Sequence, residues 1–137
     1  MAQKIPHKTT VIRDGASGSL TLDSLNIKPF DAVNVTAIQT IYSDVFDMQD
    51  LAQASGHLIV TESGSGVRTL DVTIEGSGKN DAADVDWILL ALFAQLAAAG
   101  RELKTFTNFP RYIRAKRVTA GAGVHNWTVS LFVDAKK

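Results

Sequence analysis

Apolar and polar residues alternate along several short segments of the chain, which is the pattern of half-buried β-strands. The clearest examples are residues 69–75 and residues 127–134. In the second example Phe132 breaks the polar face, so we expect it to cover another surface or a neighbouring subunit. Further segments of this type cover residues 8–13, 19–22, 33–39, 57–62, 103–107 and 112–119.

Turn-forming residues separate these segments. The turn signals are Lys28-Pro29 and the glycine- and serine-rich residues 14–18, 63–66, 76–80 and 120–123. Short strands at this spacing predict an all-β fold, an antiparallel β-sandwich of the jelly-roll type. We expect one sandwich domain over residues 9–137, preceded by an extended N-terminal arm over residues 1–8.

The apolar segment after Trp87 fits two structures. Its large side chains fall on one helical stripe, Asp84 or Asp86 would cap the start, and Gly100 would end the helix. The segment also fits a strand with apolar residues on both faces, which predicts a central strand buried on both sides. A short helix near residues 88–98 is therefore an alternative to a strand there.

Composition and charge narrow the function classes. The 137 residues include no cysteine, so the chain has no disulfide and no thiolate site. Fourteen basic residues balance fourteen acidic ones, which argues against non-specific nucleic-acid binding. The N-terminus lacks an apolar run, and the stretch 87–99 is shorter than the about 20 residues of a membrane span. We expect a soluble protein without nucleic-acid or membrane partners.

The charges are clustered along the chain. Acidic residues concentrate in 44–50 and 81–86, and basic residues dominate 101–117. These clusters are either solvated loops and strand faces, or patches of opposite sign that meet between neighbouring subunits.

Motifs of catalysis are missing from the sequence. His7, His57 and His125 have no nucleophile motif nearby, and no phosphate-binding glycine loop or zinc-protease motif is present. The acidic stretch 81–86 lacks the spacing and glycine of an EF-hand loop. We expect no enzymatic activity, no cofactor and no metal.

Residues 46–133 contain a series of motifs, namely Leu58-Ile59-Val60, Asp86-Trp87, a box at residues 110–115 and a strand that starts at Trp127. In this order they resemble a β-sandwich domain of tailed-phage virion proteins. The resemblance implies a capsid decoration (cement) protein of the virion, a homotrimer whose partners are the major capsid protein and its own copies. It also implies that the Asp86-Trp87 segment is a strand. A head–tail or tail accessory protein is an alternative within the same resemblance.

The box Arg111-Tyr112-Ile113-Arg114 is the most informative candidate for a contact surface. As a strand it places Tyr112 and Arg114 on one face and Arg111 on the other. Tyrosine and arginine are frequent at interface hot spots. The candidate subunit or capsid contacts are Ile5, His7, Arg111, Tyr112, Arg114 and Phe132.

Two other interpretations of this box stay open. Tyr112 would be a core residue if the arginines pair internally with the acidic loops. The same residues would also stack on a sugar, which makes a carbohydrate-binding module the alternative function. That function needs an exposed aromatic platform, whereas we expect Trp87 and Trp127 to lie in the core.

Overall fold

The computed structural model describes residues 10–14 and 19–137, with side chains from residue 23 onward. The expected arm at residues 1–8 lies outside the described residues. The strands are β1 (Thr10–Asp14), β2 (Ser19–Val35), β3 (Thr40–Tyr42), β4 (Phe46–Asp47), β5 (Gln53–Glu62), β6 (Thr69–Ser77), β7 (Ile88–Leu92), β8 (Gly100–Thr107), β9 (Tyr112–Ala120) and β10 (Trp127–Lys136).

The strands form two sheets whose neighbours are all antiparallel. Sheet A has the order β1-β2-β10-β5-β8, and sheet B has the order β3-β9-β6-β7, with β4 also paired to β9. Within the described residues, the chain passes from one sheet to the other six times, at the connections β2–β3, β4–β5, β5–β6, β7–β8, β8–β9 and β9–β10. The prediction of an all-β antiparallel sandwich of the jelly-roll type is confirmed.

The core lies between the sheets, where alternate residues of each long strand meet. In β10 the burial alternates from Trp127 to Ala135, and in β6 it alternates from Leu70 to Ile74. This alternation follows from the pleat, which sends successive side chains to opposite faces. The largest fully buried side chains are Trp127, Phe46, Phe93, Met48, Leu58, Leu70, Ile74, Ile113, Leu131, Val35, Val72 and Val129.

Strand β2 differs from the sequence-based expectation of two strands and a turn. It runs unbroken over Ser19–Val35, through Lys28-Pro29, and it ends before the expected segment 33–39 does. Two register shifts against β10 absorb extra residues on either side of Phe30. Pro29 is tolerated because bulges and strand edges leave positions at which no ladder hydrogen bond is required.

The segment after Trp87 is a strand and not a helix. The alternative of a short helix near 88–98 is wrong, because the chain pairs with β6 instead. Phe93 donates its backbone N–H to the Val72 carbonyl at 3.2 Å, and Leu96 and Leu70 exchange two backbone hydrogen bonds of 2.8 and 2.9 Å. The strand expected at this place is confirmed, but the expectation of a central strand is also wrong, since β7 lies at the edge of sheet B.

Candidate interaction surfaces

Arg114 is enclosed by aromatic rings and carboxylates on the outer face of sheet B. Its guanidinium carbon lies 3.9 Å from the centroid of the Tyr42 ring and 4.4 Å from that of Trp87. Nε donates to Glu75 and Nη1 to Asp84, each at 2.9 Å. Arg114 is only 6% exposed, and the carboxylates of Glu75 and Asp84 from the same chain balance its charge. A guanidinium suits this position because it stacks on rings while its N–H groups bond in the plane.

Arg111 lies at the start of the same box but remains exposed. Its Nε and Nη2 form a bidentate pair with Asp47, both bonds being 2.8 Å long, and its side chain is 56% exposed. The hydrogen bonds to Asp47 raise the pKa of Arg111 above its ordinary value. The guanidinium carbon is 5.3 Å from the ring centroid of Tyr112, which is half-buried. Arg111 and Tyr112 are therefore the accessible part of the box.

The other predicted contacts lie elsewhere. Ile5 and His7 fall outside the described residues. Phe132 is half-buried on the outer face of sheet A, opposite His57 of β5, with the Lys28 ammonium 5.7 Å from its ring centroid. The structure thus brings Arg111, Tyr112 and Arg114 together and places Phe132 on the other sheet; their role as contacts stays a prediction.

Acidic and basic residues of the clusters pair within the chain. Asp47 binds Arg111, and Asp84 binds Arg114. Asp50 lies 3.3 Å from the ammonium of Lys137. The geometry favours the internal pairing of the arginines with acidic loops over patches that meet between neighbouring subunits.

Both tryptophans are buried, as expected, but in different surroundings. Trp127 belongs to the core and donates its indole N–H to Nδ1 of His125 at 3.0 Å. Trp87 covers Arg114 outside the core cluster, and its indole N–H bonds to the Ala82 carbonyl at 3.1 Å. Neither tryptophan ring is therefore exposed as the aromatic platform that the carbohydrate-binding hypothesis requires.

The exposed edge of sheet B is a feature that sequence reasoning missed. Ile88, Leu89 and Leu92 of β7 are 56%, 57% and 55% exposed, because β7 has β6 on one side and lies at the end of its sheet. A run of apolar residues without alternation normally indicates a strand buried on both faces. The run of residues alone does not distinguish a strand buried on both faces from an edge strand whose apolar side chains are exposed.

The described residues contain neither a metal-binding cluster nor a membrane-spanning helix. Among the residues that the structure describes, no group of three or more histidine, aspartate or glutamate side chains is arranged to hold a metal ion. Within the same residues, no helix has the length and apolar character needed to cross a membrane.

Comparisons with known proteins bear on the fold. No protein-family model matches the chain, and no curated protein matches it. A structure of the Gx strain of infectious bursal disease virus aligns with 83% of this chain and 31% of its own, at 21% identity and a TM-score of 0.57. The crystal structure of the VP2 subviral particle of the same virus aligns with 92% of this chain and 36% of its own, at 18% identity and a TM-score of 0.56.

The chain therefore shares its β-sandwich fold with viral capsid proteins, and it spans about a third of the length of the chains it matches. A xylanase 10B structure from Clostridium thermocellum, complexed with xylohexaose, aligns at 10% identity and a TM-score of 0.49. It covers 97% of this chain and 25% of its own. That likeness is too distant to support an argument about function.

Proposed function

We propose that this chain is a virion structural protein, a β-sandwich subunit that associates with its own copies and decorates the outside of a viral capsid. The single observation that carries the proposal is the apolar edge strand β7 on a sandwich of the capsid type. The mechanism is binding alone: several symmetric copies hold adjacent capsid subunits together through multivalent contacts.

Edge strands of soluble proteins normally carry devices that prevent pairing, such as charged side chains, proline or very short length. The run Ile88–Leu92 contains no charge and no proline, and three of its five side chains are more than half exposed. Apolar surface of this kind marks a site of protein association. Its burial supplies roughly 25 cal/mol for each Å² of apolar area removed from water.

A second copy of this chain is the occupant that we favour for β7. A two-fold axis through the strand would place β7 antiparallel to the partner's β7, which opposes apolar residues to apolar residues at every position. No like charges meet between Ile88 and Leu92 in such a pair, because the strand has none. The flanking Asp84 and Asp86 precede one end of the strand only, so antiparallel pairing keeps the two acidic ends apart.

The resemblance to phage virion proteins supports the more specific parts of the proposal. It favours the major capsid protein as the second partner, with neither catalysis nor a cofactor. The homotrimer that it also implies would need a three-fold contact elsewhere on the subunit, because a two-fold β7 pair joins only two copies. The strand that it implied after Trp87 is present as β7, and the box at residues 110–115 runs into β9, which β6 separates from β7 in sheet B.

The test compares the native chain with the variant Leu89→Lys/Leu92→Lys by mass in solution. We expect the native chain to form an oligomer and the variant to dissociate at a concentration at least ten times higher. The matched control is Leu103→Lys, a leucine that is 62% exposed on the edge strand β8 of the other sheet, which should keep the oligomer. Circular dichroism checks that all three chains are folded.

Binding to purified capsids that lack the protein tests the decoration role separately. The native chain should sediment with the capsids, and the double variant should do so at least tenfold more weakly because multivalency is lost. A native chain that stays monomeric and shows no capsid affinity would overturn the proposal. An oligomer that survives both substitutions in β7 would move the interface away from this strand.

A further inference from the structure

A groove with a volume of about 470 Å³ crosses the outer face of sheet A at one end. It spans four adjacent strands, β2, β10, β5 and β8, and hence three inter-strand spacings of about 4.8 Å. Its polar lining residues are Ser24, Asn26, Gln53, Ser55, Thr105, Thr107, Asp134 and Lys136.

The strand register arranges these side chains in two parallel rows. One row contains Asn26, Asp134, Ser55 and Thr105, which are direct partners across the three strand pairs. The second row lies two residues along each strand and contains Ser24, Lys136, Gln53 and Thr107. Side chains two residues apart project from the same face of a strand, so all eight groups point out of the sheet.

These polar groups are not used to hold the fold together. None of the eight side chains makes a hydrogen bond or an ion pair with another group in the described part of the chain. Four are hydroxyls and two are amides, and each of these can both donate and accept. The remaining two, Asp134 and Lys136, carry opposite charges, so the groove has no net charge.

This chemistry excludes most classes of ligand. A peptide added as a strand needs free backbone groups, but on the face of a sheet those groups are consumed by the ladder between strands. A nucleic acid needs several cations, and the groove offers only Lys136. A lipid chain needs a mainly apolar lining, whereas eight of the eleven residues that line this groove are polar. What remains is a neutral ligand with many hydroxyl groups.

We infer that the groove binds a neutral oligosaccharide. The hydroxyl and amide side chains of the two rows would exchange hydrogen bonds with sugar hydroxyls along the length of the groove. Phe132 and His57 stand directly opposite one another in the next row along β10 and β5, and their rings would contact the apolar faces of the sugar. This surface is separate from the tryptophans, and the inference does not depend on the proposed virion function.

Titration calorimetry against soluble hexasaccharides tests the inference. The probes are β-1,4-linked glucose, xylose, mannose and N-acetylglucosamine hexamers, with a sulfated hexasaccharide as the charged comparison. We expect the native chain to bind at least one neutral hexamer. The variant Asn26→Ala/Ser55→Ala should bind the same hexamer at least tenfold more weakly, because it removes hydrogen bonds that are each equivalent to up to about tenfold in affinity.

The matched control is Thr61→Ala, an exposed residue on the same face of β5 outside the groove, which should leave the affinity unchanged. Absence of binding to every neutral hexamer would overturn the inference, and so would binding of the sulfated probe alone. Equal affinities for the native chain and the groove variant would place the sugar elsewhere. The groove variant should keep the oligomeric state of the native chain, so failure here is distinguishable from failure of the proposed assembly.

Discussion

Two buried arginines of β9 lie three residues apart and have opposite surroundings. Arg114 and Arg117 are each 6% exposed. Arg114 faces outward between two rings and two carboxylates, and within the described part of the chain only its Nη2 lacks a hydrogen-bond partner. Arg117 lies on the inner face of sheet B, and neither Nε nor Nη1 has a hydrogen-bond partner among the described residues. Arg114 and Arg117 are therefore equally buried but differ in how their charges are paired.

The surroundings of Arg117 offer weak compensation for its charge. Its guanidinium carbon is 5.2 Å from the ring centroid of Phe30, and Nη2 reaches Oε1 of Gln39 at 3.5 Å, which is a long hydrogen bond. Burial lowers the pKa of Arg117, because the charged form loses hydration without gaining a carboxylate. Taking an ion out of water costs several kcal/mol, and only close, well-oriented partners offset that cost. Arg114 and Arg117 thus allow the effect of burial to be compared with and without a paired carboxylate.

The largest effect is expected when the paired arginine is removed. Arg114→Met should lower the free energy of unfolding by about 3–5 kcal/mol, since it removes a buried guanidinium and leaves the half-buried carboxylate of Glu75 without its cation. The free energy of unfolding of Arg114→Lys should lie between those of the native chain and Arg114→Met, because an ammonium keeps the charge but loses the stacking on Tyr42 and Trp87. Urea unfolding followed by tryptophan fluorescence measures both. A loss below about 1 kcal/mol for Arg114→Met would show that the enclosure is not stabilising.

Removal of the unpaired arginine should have the opposite sign. Arg117→Met should raise the free energy of unfolding by about 1–2 kcal/mol, because it removes a buried charge while keeping a side chain of similar length. Arg101→Met, at an exposed position of β8, is the control and should change little. If Arg117→Met destabilised the chain as much as Arg114→Met does, the comparison between the two residues would fail.

The sequence predicts part of this contrast. Period-two alternation identifies β6 and β10, and the same rule places Ile113 and Ala115 inside. When the alternation is continued by two residues along β9, it also places Arg117 on the inner face of the sheet. The alternation predicts which face of the sheet a side chain occupies, but not whether a carboxylate lies on that face to pair with an arginine.

The enclosure of Arg114 is beyond local patterns because its parts are distant in the chain. Tyr42 comes from β3, Glu75 from β6, and Asp84 and Trp87 from the turn before β7. Their meeting depends on the sheet order β3-β9-β6-β7, which no periodicity specifies. For the same reason the edge position of β7 was missed, since an apolar run has identical character whether one neighbour strand is present or two. Helix propensity in that run was outweighed by backbone pairing with β6.

The smallest effect concerns the exposed partner of Arg114. The side chain of Asp84 is 65% exposed, whereas that of Glu75 is 14% exposed. Water and salt screen the outer pair, so Asp84→Asn should cost only about 0.5 kcal/mol at low salt and close to nothing at 1 M salt. Asp86→Asn is the matched control, because Asp86 lies in the same short 3-10 turn and makes no side-chain bond to another described residue.

Equal losses for the two variants would mean that Asp84 stabilises the turn and not the contact with Arg114. A loss for Asp84→Asn that persists in high salt would show that the outer carboxylate is as strongly coupled to Arg114 as Glu75 is, and the contrast between a paired and an unpaired arginine would then rest on both acids.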